Sequence, residues 1–65
     1  MELEIKDMTC GHCADVVTKA IEVVDANAQV DIDLNTKLVR VLSEHAPGEF
    51  VAAIQQAGYS PTELR

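Results

Sequence analysis

The sequence has no tryptophan, one phenylalanine, one tyrosine, and only five lysine or arginine residues against eleven aspartates and glutamates. Because nucleic-acid affinity comes from clustered lysine and arginine, the formal net charge of −6 argues against a nucleic-acid-binding protein. Apolar runs are also short, far below the roughly 20 residues that a membrane-spanning helix needs. The sequence therefore predicts neither nucleic-acid binding nor insertion into a membrane.

Cysteine is scarce as well, since the 65 residues contain only Cys10 and Cys13. A structural zinc site usually takes four ligands from two pairs, and this sequence has one pair. A disulfide between the two would close too short a loop to remove much chain entropy. The first residues, MELEIKD, are charged where a secretory signal would be apolar, so we expect a cytoplasmic protein if Met1 is the natural start. In that compartment the cysteines are better explained as metal ligands or redox thiols than as a structural bridge.

The length limits the architecture to a single small domain, residues 1–65. A chain this short buries only about 60% of the surface that its unfolded form exposes. It has no room for an enclosed active site between domains, so we expect any chemistry to lie near the surface.

Hydrophobic periodicity predicts six elements in the order strand, helix, strand, strand, helix, strand. Asn27 is expected to end the first helix in a left-handed conformation, Asn35-Thr36 to form a hairpin turn, and Gly58 to end the second helix. The predicted ranges are a strand at 2–6, a helix at 13–25, strands at 30–34 and 37–43, a helix from Pro47, and an edge strand within 59–64.

This order predicts an α+β, ferredoxin-like βαββαβ fold, in which a four-stranded antiparallel sheet has two helices on one face. Following the chain places the loop before the first helix, the hairpin turn and the Gly58-Tyr59 turn at one pole of the domain. His45 is expected at the opposite pole. If Val39 and Val41 of the third strand face the helices, alternation places Leu38 and Leu42 on the uncovered face of the sheet.

The segment from Asp7 to Cys13, DMTCGHC, lies where the first strand ends and the first helix begins. Backbone N–H groups at a helix N-terminus stabilise negative charge, so Cys13 is expected to ionise more readily than a free thiol. Two thiolates three residues apart can converge on one ion, and Gly11 is expected to let the loop adopt conformations closed to other residues. Soft sulfur ligands select Cu(I) among cellular metals. The segment therefore predicts a Cu(I) site at Cys10 and Cys13.

The whole chain resembles the heavy-metal-associated domain of copper chaperones and copper-transporting P-type ATPases. The resemblance covers residues 2–64 and is carried by the Gly58-Tyr59 turn and by Met8-Thr9-Cys10-Gly11-His12-Cys13, which fits the family's M-x-C-x-x-C. It implies that Cys10 and Cys13 bind Cu(I), that Met8 packs beneath the loop, and that Tyr59 stands beside the site as in bacterial members.

The resemblance also implies a function for the chain. We expect a cytoplasmic Cu(I) chaperone, not an enzyme, which passes its ion by ligand exchange to the soluble metal-binding domain of a copper-transporting P-type ATPase. The metal-free protein is expected to be a monomer, with a copper-bridged dimer as an alternative state. A detached N-terminal domain of such an ATPase, a mercury-binding protein and a thiol redox protein remain alternatives.

The residues around the two cysteines help to distinguish those alternatives. The thioredoxin-like W-C-G-P-C signature is absent, since His12 occupies the place of the proline. Zinc-transporting relatives often have Asp before the first cysteine, whereas this chain has Thr9, which favours copper. His12 lies between the ligands and could be a third ligand, but we expect an intervening side chain to point to solvent. Tyr59 is expected to act on the metal site by contacting the ligands, without binding the ion itself.

Overall fold

The computed structural model describes residues 1–64 and has the predicted element order. Four strands form one sheet with antiparallel pairing throughout, and two helices pack against it and against each other. The predicted α+β, ferredoxin-like fold is confirmed. The elements are β1 Glu2–Ile5, α1 Gly11–Val24, β2 Gln29–Asp33, β3 Leu38–Leu42, α2 Pro47–Gln56 and β4 Pro61–Glu63.

The strand order is β2-β3-β1-β4, so the first strand in sequence is central and β4 is an edge strand, as predicted. Both helices cover the same face, because the alternate residues of β1 and β3 that point to them are fully or almost fully buried. In β3 the intervening positions Leu38 and Leu42 lie on the uncovered face, and Leu42 is 57% exposed. The buried core consists of Leu3, Ile5, Met8, Val17, Ile21, Val39, Val41, Phe50 and Ile54.

Within residues 1–64, neither helix combines the length and the apolar character that crossing a membrane would require.

The ends of α1 differ from the prediction. The helix begins at Gly11, two residues earlier than expected, with Cys10 as an extended N-cap. It ends at Val24, and Asp25 is extended rather than helical. Asn27 does not adopt the predicted left-handed conformation. Instead, Asp25 Oδ1 accepts the Asn27 backbone N–H at 2.9 Å, and this local turn ends the helix.

The β2–β3 hairpin turn includes the predicted Asn35-Thr36, but the left-handed residue is Lys37, with φ of 63°. Asp33 Oδ1 accepts the backbone N–H groups of Asn35 at 2.9 Å and Thr36 at 3.4 Å. The Asp33 side chain therefore organises the turn. The Lys37 carbonyl then accepts the Ile5 N–H at 2.9 Å, which brings the hairpin turn to the end of β1 as expected.

The end of α2 depends on Gly58, whose φ of 101° is the left-handed conformation that the sequence predicts. The Gly58 N–H donates to the Gln55 carbonyl at 3.0 Å, and the Tyr59 N–H donates to the Ile54 carbonyl at 3.3 Å. This pair of bonds is a Schellman motif, which usually places the residue after the glycine against the last turn of the helix. Tyr59 is accordingly half-buried and packs against the core.

Candidate metal site

The two cysteines lie together at the N-terminus of α1. Cys10 is the N-cap and is exposed, whereas Cys13 lies in the first turn and is half-buried. Both thiols are free, and the distance between the two Sγ atoms is 3.4 Å. The strand-to-helix junction therefore brings two sulfur atoms to one point on the surface.

The start of α1 is electropositive at the thiols. The first N–H groups of a helix have no partner within the helix, and they carry the positive end of its dipole. The first turn of α1 contains no acidic side chain that would offset that charge. A negatively charged pair of sulfurs is therefore stabilised where Cys10 and Cys13 lie.

The surroundings of Cys13 lower the pKa of its thiol. Its pKa is lowered from 9.0 to about 6, chiefly because the Tyr59 hydroxyl beside the sulfur stabilises the thiolate. A backbone hydrogen bond at Thr9 and the Cys10 thiol lower this pKa further. The pKa of Cys13 is shifted in the predicted direction, but the largest cause is the Tyr59 side chain and not the helix N-terminus on which the prediction rested.

The influence between Tyr59 and Cys13 is reciprocal. The Cys13 side chain raises the pKa of the Tyr59 hydroxyl to about 12, because a hydroxyl that donates to a thiolate is harder to deprotonate. Partial burial and the nearby charges of the cysteines and Asp7 act in the same direction. Tyr59 therefore stays neutral at ordinary pH and remains a donor.

A backbone-to-side-chain hydrogen bond joins the Tyr59 turn to the loop that precedes the cysteines. The Ser60 N–H donates to Asp7 Oδ1 at 3.4 Å, which connects the start of β4 to the end of β1. Sequence reasoning did not single out Ser60. No residue pattern could have indicated it, since the donor is its backbone N–H.

Of the remaining residues of the motif, one is buried and the other three are exposed. Met8 is fully buried in the core beneath the loop, which leaves its sulfur remote from solvent. Thr9 and His12 are exposed. Gly11 is an ordinary helical residue, because its φ lies outside the left-handed region. The prediction that Gly11 supplies a conformation closed to other residues is therefore wrong for this structure.

His45 lies far along the fold from the thiols, after β3 at the opposite pole. Its Nδ1 is 3.1 Å from Glu49 Oε2, and its ring meets the Phe50 ring edge to face. Within residues 1–64, no three His, Cys, Asp or Glu side chains converge in a way that could hold a metal ion.

The two sulfurs lie closer together than a linear two-sulfur metal site needs. Taking the zinc–sulfur bond of about 2.3 Å as a guide, a linear S–metal–S arrangement would separate the sulfurs by about 4.6 Å. The observed 3.4 Å requires the sulfurs to move apart by about 1.2 Å to reach it. Cys10 precedes the helix and is exposed, so it has more freedom to make that movement than Cys13.

The family of proteins described as the heavy-metal-associated domain matches residues 2–60. Among relatives, the chain is 36% identical over 58 residues to "Copper transport protein ATOX1" of Homo sapiens. The match covers 89% of this chain and 84% of that protein.

Two solved structures share this fold at substantial identity. A protein described as "Gold binding protein" is 46% identical, with a TM-score of 0.90 and coverage of 94% of each chain. The copper chaperone Atx1 from Synechocystis PCC6803, in a trimeric Cu1 form of a point variant, is 35% identical. Its TM-score is 0.92, and the match covers 95% of this chain and 98% of that one.

Proposed function

Because this chain belongs to the heavy-metal-associated domain family, we propose that it is a cytoplasmic Cu(I) metallochaperone and not an enzyme. The whole chain, residues 1–65, would serve as one such domain. The observation that carries the proposal is the pair of free sulfurs, 3.4 Å apart, at the N-terminus of α1. The names of the copper relatives support copper as the cargo.

In this proposal Cys10 and Cys13 are the ligands of one Cu(I) ion. Soft thiolates favour Cu(I) over harder ions, and two of them satisfy it without a third ligand. Two thiolates and Cu(I) together carry a formal charge of −1, which the start of α1 stabilises. Thr9 supplies no carboxylate before the first ligand, which disfavours zinc as the cargo.

Five other residues act on the site without binding the ion. Tyr59 donates to the Cys13 sulfur and favours its ionised form. Met8 anchors the loop in the core. Thr9, Gly11 and His12 form the exposed surface through which another protein reaches the ion, and a side chain at Gly11 would meet nothing within 4 Å.

The cargo leaves by ligand exchange rather than as a free ion. A cysteine of the soluble metal-binding domain of a copper-transporting P-type ATPase attacks the bound Cu(I), and a three-sulfur intermediate forms. The incoming thiol gives up its proton as its sulfur binds, and the departing cysteine takes up a proton as its bond to copper breaks. Copper keeps its oxidation state throughout. The exposure of Cys10 makes it the first of the pair to leave.

Native mass spectrometry under reducing conditions, with a competing Cu(I) chelator, tests the assignment. We expect one Cu(I) per chain for the unchanged protein and for His45→Ala, a control at the opposite pole. Cys10→Ser and Cys13→Ser should each lose chelator-resistant binding while keeping the circular dichroism of the fold. Full copper uptake by the double variant Cys10→Ser, Cys13→Ser would overturn the proposal. A protein that took up no copper but cycled between dithiol and disulfide would instead be a redox protein.

A second candidate cargo is another soft ion such as Au(I) or Hg(II). The observation that favours it is the 46% identity to a protein named for gold binding. The same two thiolates would bind these ions, because they share the softness and low coordination number of Cu(I). Competition between Cu(I) and Au(I) for the unchanged protein distinguishes the candidates. Displacement of Au(I) by an equal amount of Cu(I) favours copper, and retention of Au(I) favours gold.

A further inference from the structure

The face of the sheet opposite the helices has no covering layer among residues 1–64. We call it the open face. Cross-strand pairing aligns its side chains, since Glu2 pairs with Arg40, Arg40 with Asp31, and Leu38 with both Glu4 and Asp33. The Leu64 N–H donates to the Glu2 carbonyl at 2.8 Å, which extends this alignment by one residue. The open face consists of Glu2, Glu4, Gln29, Asp31, Asp33, Leu38, Arg40, Leu42, Thr62 and Leu64.

The open face carries a large share of the negative charge of the protein. It has four carboxylates and one guanidinium, a net charge of 1 − 4 = −3 out of −6 for the whole chain. Arg40 is already engaged, because its Nη2 lies 3.1 Å from Glu2 Oε2. Asp31 and Asp33 are exposed on the neighbouring strand β2.

Apolar side chains lie among these charges. Leu42 is 57% exposed and Leu64 is 48% exposed, so two of the three most exposed large apolar side chains in residues 1–64 belong to the open face. Arg40 and Asp31 together line two adjoining shallow depressions. One has a volume of about 430 Å³ and reaches Leu38, and the other has about 240 Å³ and reaches Leu42. The open face therefore offers apolar contact between anionic side chains.

The negative charge of the open face determines which kind of partner can bind there. A second copy of this chain would bring one open face of net charge −3 against another, so like charges would oppose its docking. Anionic lipid surfaces and nucleic acids meet the same repulsion. A cationic partner is attracted, and its approach is steered by the carboxylates over short range.

The shape favours a helix over an extended strand. An added strand pairs through backbone groups at an edge of a sheet, whereas the open face presents side chains. Four strands spaced about 4.8 Å apart span roughly 14 Å, which accommodates one helix of about 10–12 Å diameter.

We propose that the open face is a docking surface for a basic amphipathic helix of another protein. The apolar residues of that helix would lie against Leu38, Leu42 and Leu64, and its lysine or arginine residues would lie toward the flanking carboxylates. This proposal does not depend on which ion the cysteines carry.

A designed peptide provides the probe. We would titrate the full ¹⁵N-labelled chain, in physiological salt, with a leucine–lysine peptide whose leucines recur with helical periodicity. A second peptide of equal composition, with strictly alternating leucine and lysine, is the control for helical presentation. We expect the helical peptide to shift the backbone amide signals of β2, β3 and Leu64, and to leave those of α1 and the cysteine loop unchanged.

Two pairs of variants separate local contacts from general attraction. Asp31→Lys is matched by Glu22→Lys, an equal charge change at an exposed position on α1. Leu42→Ser is matched by Val23→Ser on α1, where the side chain is 85% exposed. We expect Asp31→Lys to weaken binding about fivefold, as the loss of one favourable surface charge contact allows. Leu42→Ser should weaken it about tenfold through lost apolar burial, and both control variants should bind like the unchanged protein.

Several results would overturn the proposal. Equal losses for Asp31→Lys and Glu22→Lys would show that the peptide responds only to net charge. Shifts confined to α1 or the cysteine loop would place the basic partner elsewhere, and equal binding of the alternating peptide would contradict a helical occupant. If the peptide causes no amide shifts even at the highest concentration at which it dissolves, docking on the open face is contradicted. Since Leu42 and Asp31 are tested separately, misfolding of one variant leaves the other as a test.

Discussion

The Ser43 hydroxyl donates a 2.6 Å hydrogen bond to Asp25 Oδ2, which joins the end of β3 to the end of α1 at the pole opposite the cysteines. The same hydroxyl accepts the His45 backbone N–H at 3.1 Å. The bond from Ser43, followed by the one from the Asn27 backbone N–H, holds the pKa of Asp25 below its ordinary 3.8. Two elements distant in sequence are thus connected by one ionised carboxyl group.

Ser43→Ala should therefore lower the thermal midpoint of unfolding at pH 7. Because the folded-state pKa of Asp25 is depressed, its contribution to stability is present above pH 3.8 and is lost as pH falls through the folded pKa. The difference between Ser43→Ala and the unchanged protein should accordingly shrink in strong acid, whereas Ser43→Thr, which keeps the hydroxyl, should behave like the unchanged protein. A difference that is the same at all pH values would contradict this account.

Cys13 should be largely ionised at neutral pH. With a pKa of about 6, roughly nine-tenths of this thiol is thiolate at pH 7. Thiolate absorbance of the Cys10→Ser variant, followed against pH, measures this directly, and we expect a midpoint well below 9.0. Cu(I) affinity should weaken as pH falls below about 6, since protons then compete for the sulfur. A midpoint near 9.0 would show that the helix and tyrosine do not act on Cys13.

Tyr59→Phe should raise the pKa of Cys13 from about 6 toward 9.0, because it removes only the hydroxyl that is the largest cause of the shift. The backbone hydrogen bond at Thr9 remains, so the increase should be partial. The ring still packs against the core, and the thermal midpoint should change little. An unchanged pH dependence of Cys13 alkylation in this variant would remove Tyr59 from the site.

His12→Ala should leave the Cu(I) affinity of the monomer within about twofold of the unchanged protein, because an exposed side chain between the ligands makes no described contact with them. Chelator competition at low protein concentration measures the monomer. A large loss there would identify His12 as a ligand. A loss that appears only at high concentration, where copper bridges two chains, would place His12 against the partner chain's site.

Reversing the charge of α1 should slow copper transfer. Asp15 and Glu22 are exposed on the helix that begins at the cysteines, and they favour approach of a basic partner surface. In stopped-flow transfer experiments, Asp15→Lys with Glu22→Lys should be several-fold slower at low salt and converge with the unchanged protein as salt rises. Cu(I) affinity should stay the same. A transfer rate that does not depend on salt would mean that these charges serve solubility alone.

The sheet was predictable because its strands bury one face. The burial of Val39 and Val41 and the exposure of Leu42 follow from alternation, since shifting β3 by one residue would reverse all of them. Gly58 was predictable for a different reason, because its left-handed conformation penalises other residues. Both predictions rest on a local pattern with a large energetic consequence.

The helix ends and the site contacts were less predictable. Gly11 and His12 are not apolar, so periodicity alone starts α1 at Cys13 rather than at Gly11. The two cysteines are evident from their spacing. Contacts such as Ser43 with Asp25 join loops whose conformations no periodic pattern determines.

The strand order has a consequence for how the protein is made. β1 occupies the centre of the sheet and is synthesised first, the cysteines follow at once, and Tyr59 comes just before the edge strand β4. At about 5–20 residues per second, a ribosome adds Tyr59 roughly 2–9 s after Cys13. During that interval both thiols have been synthesised without the Tyr59 hydroxyl, and β1 still lacks its neighbour β4. The hydroxyl that stabilises the Cys13 thiolate is added only after β2, β3 and α2, so the site is complete only once most of this domain has been synthesised.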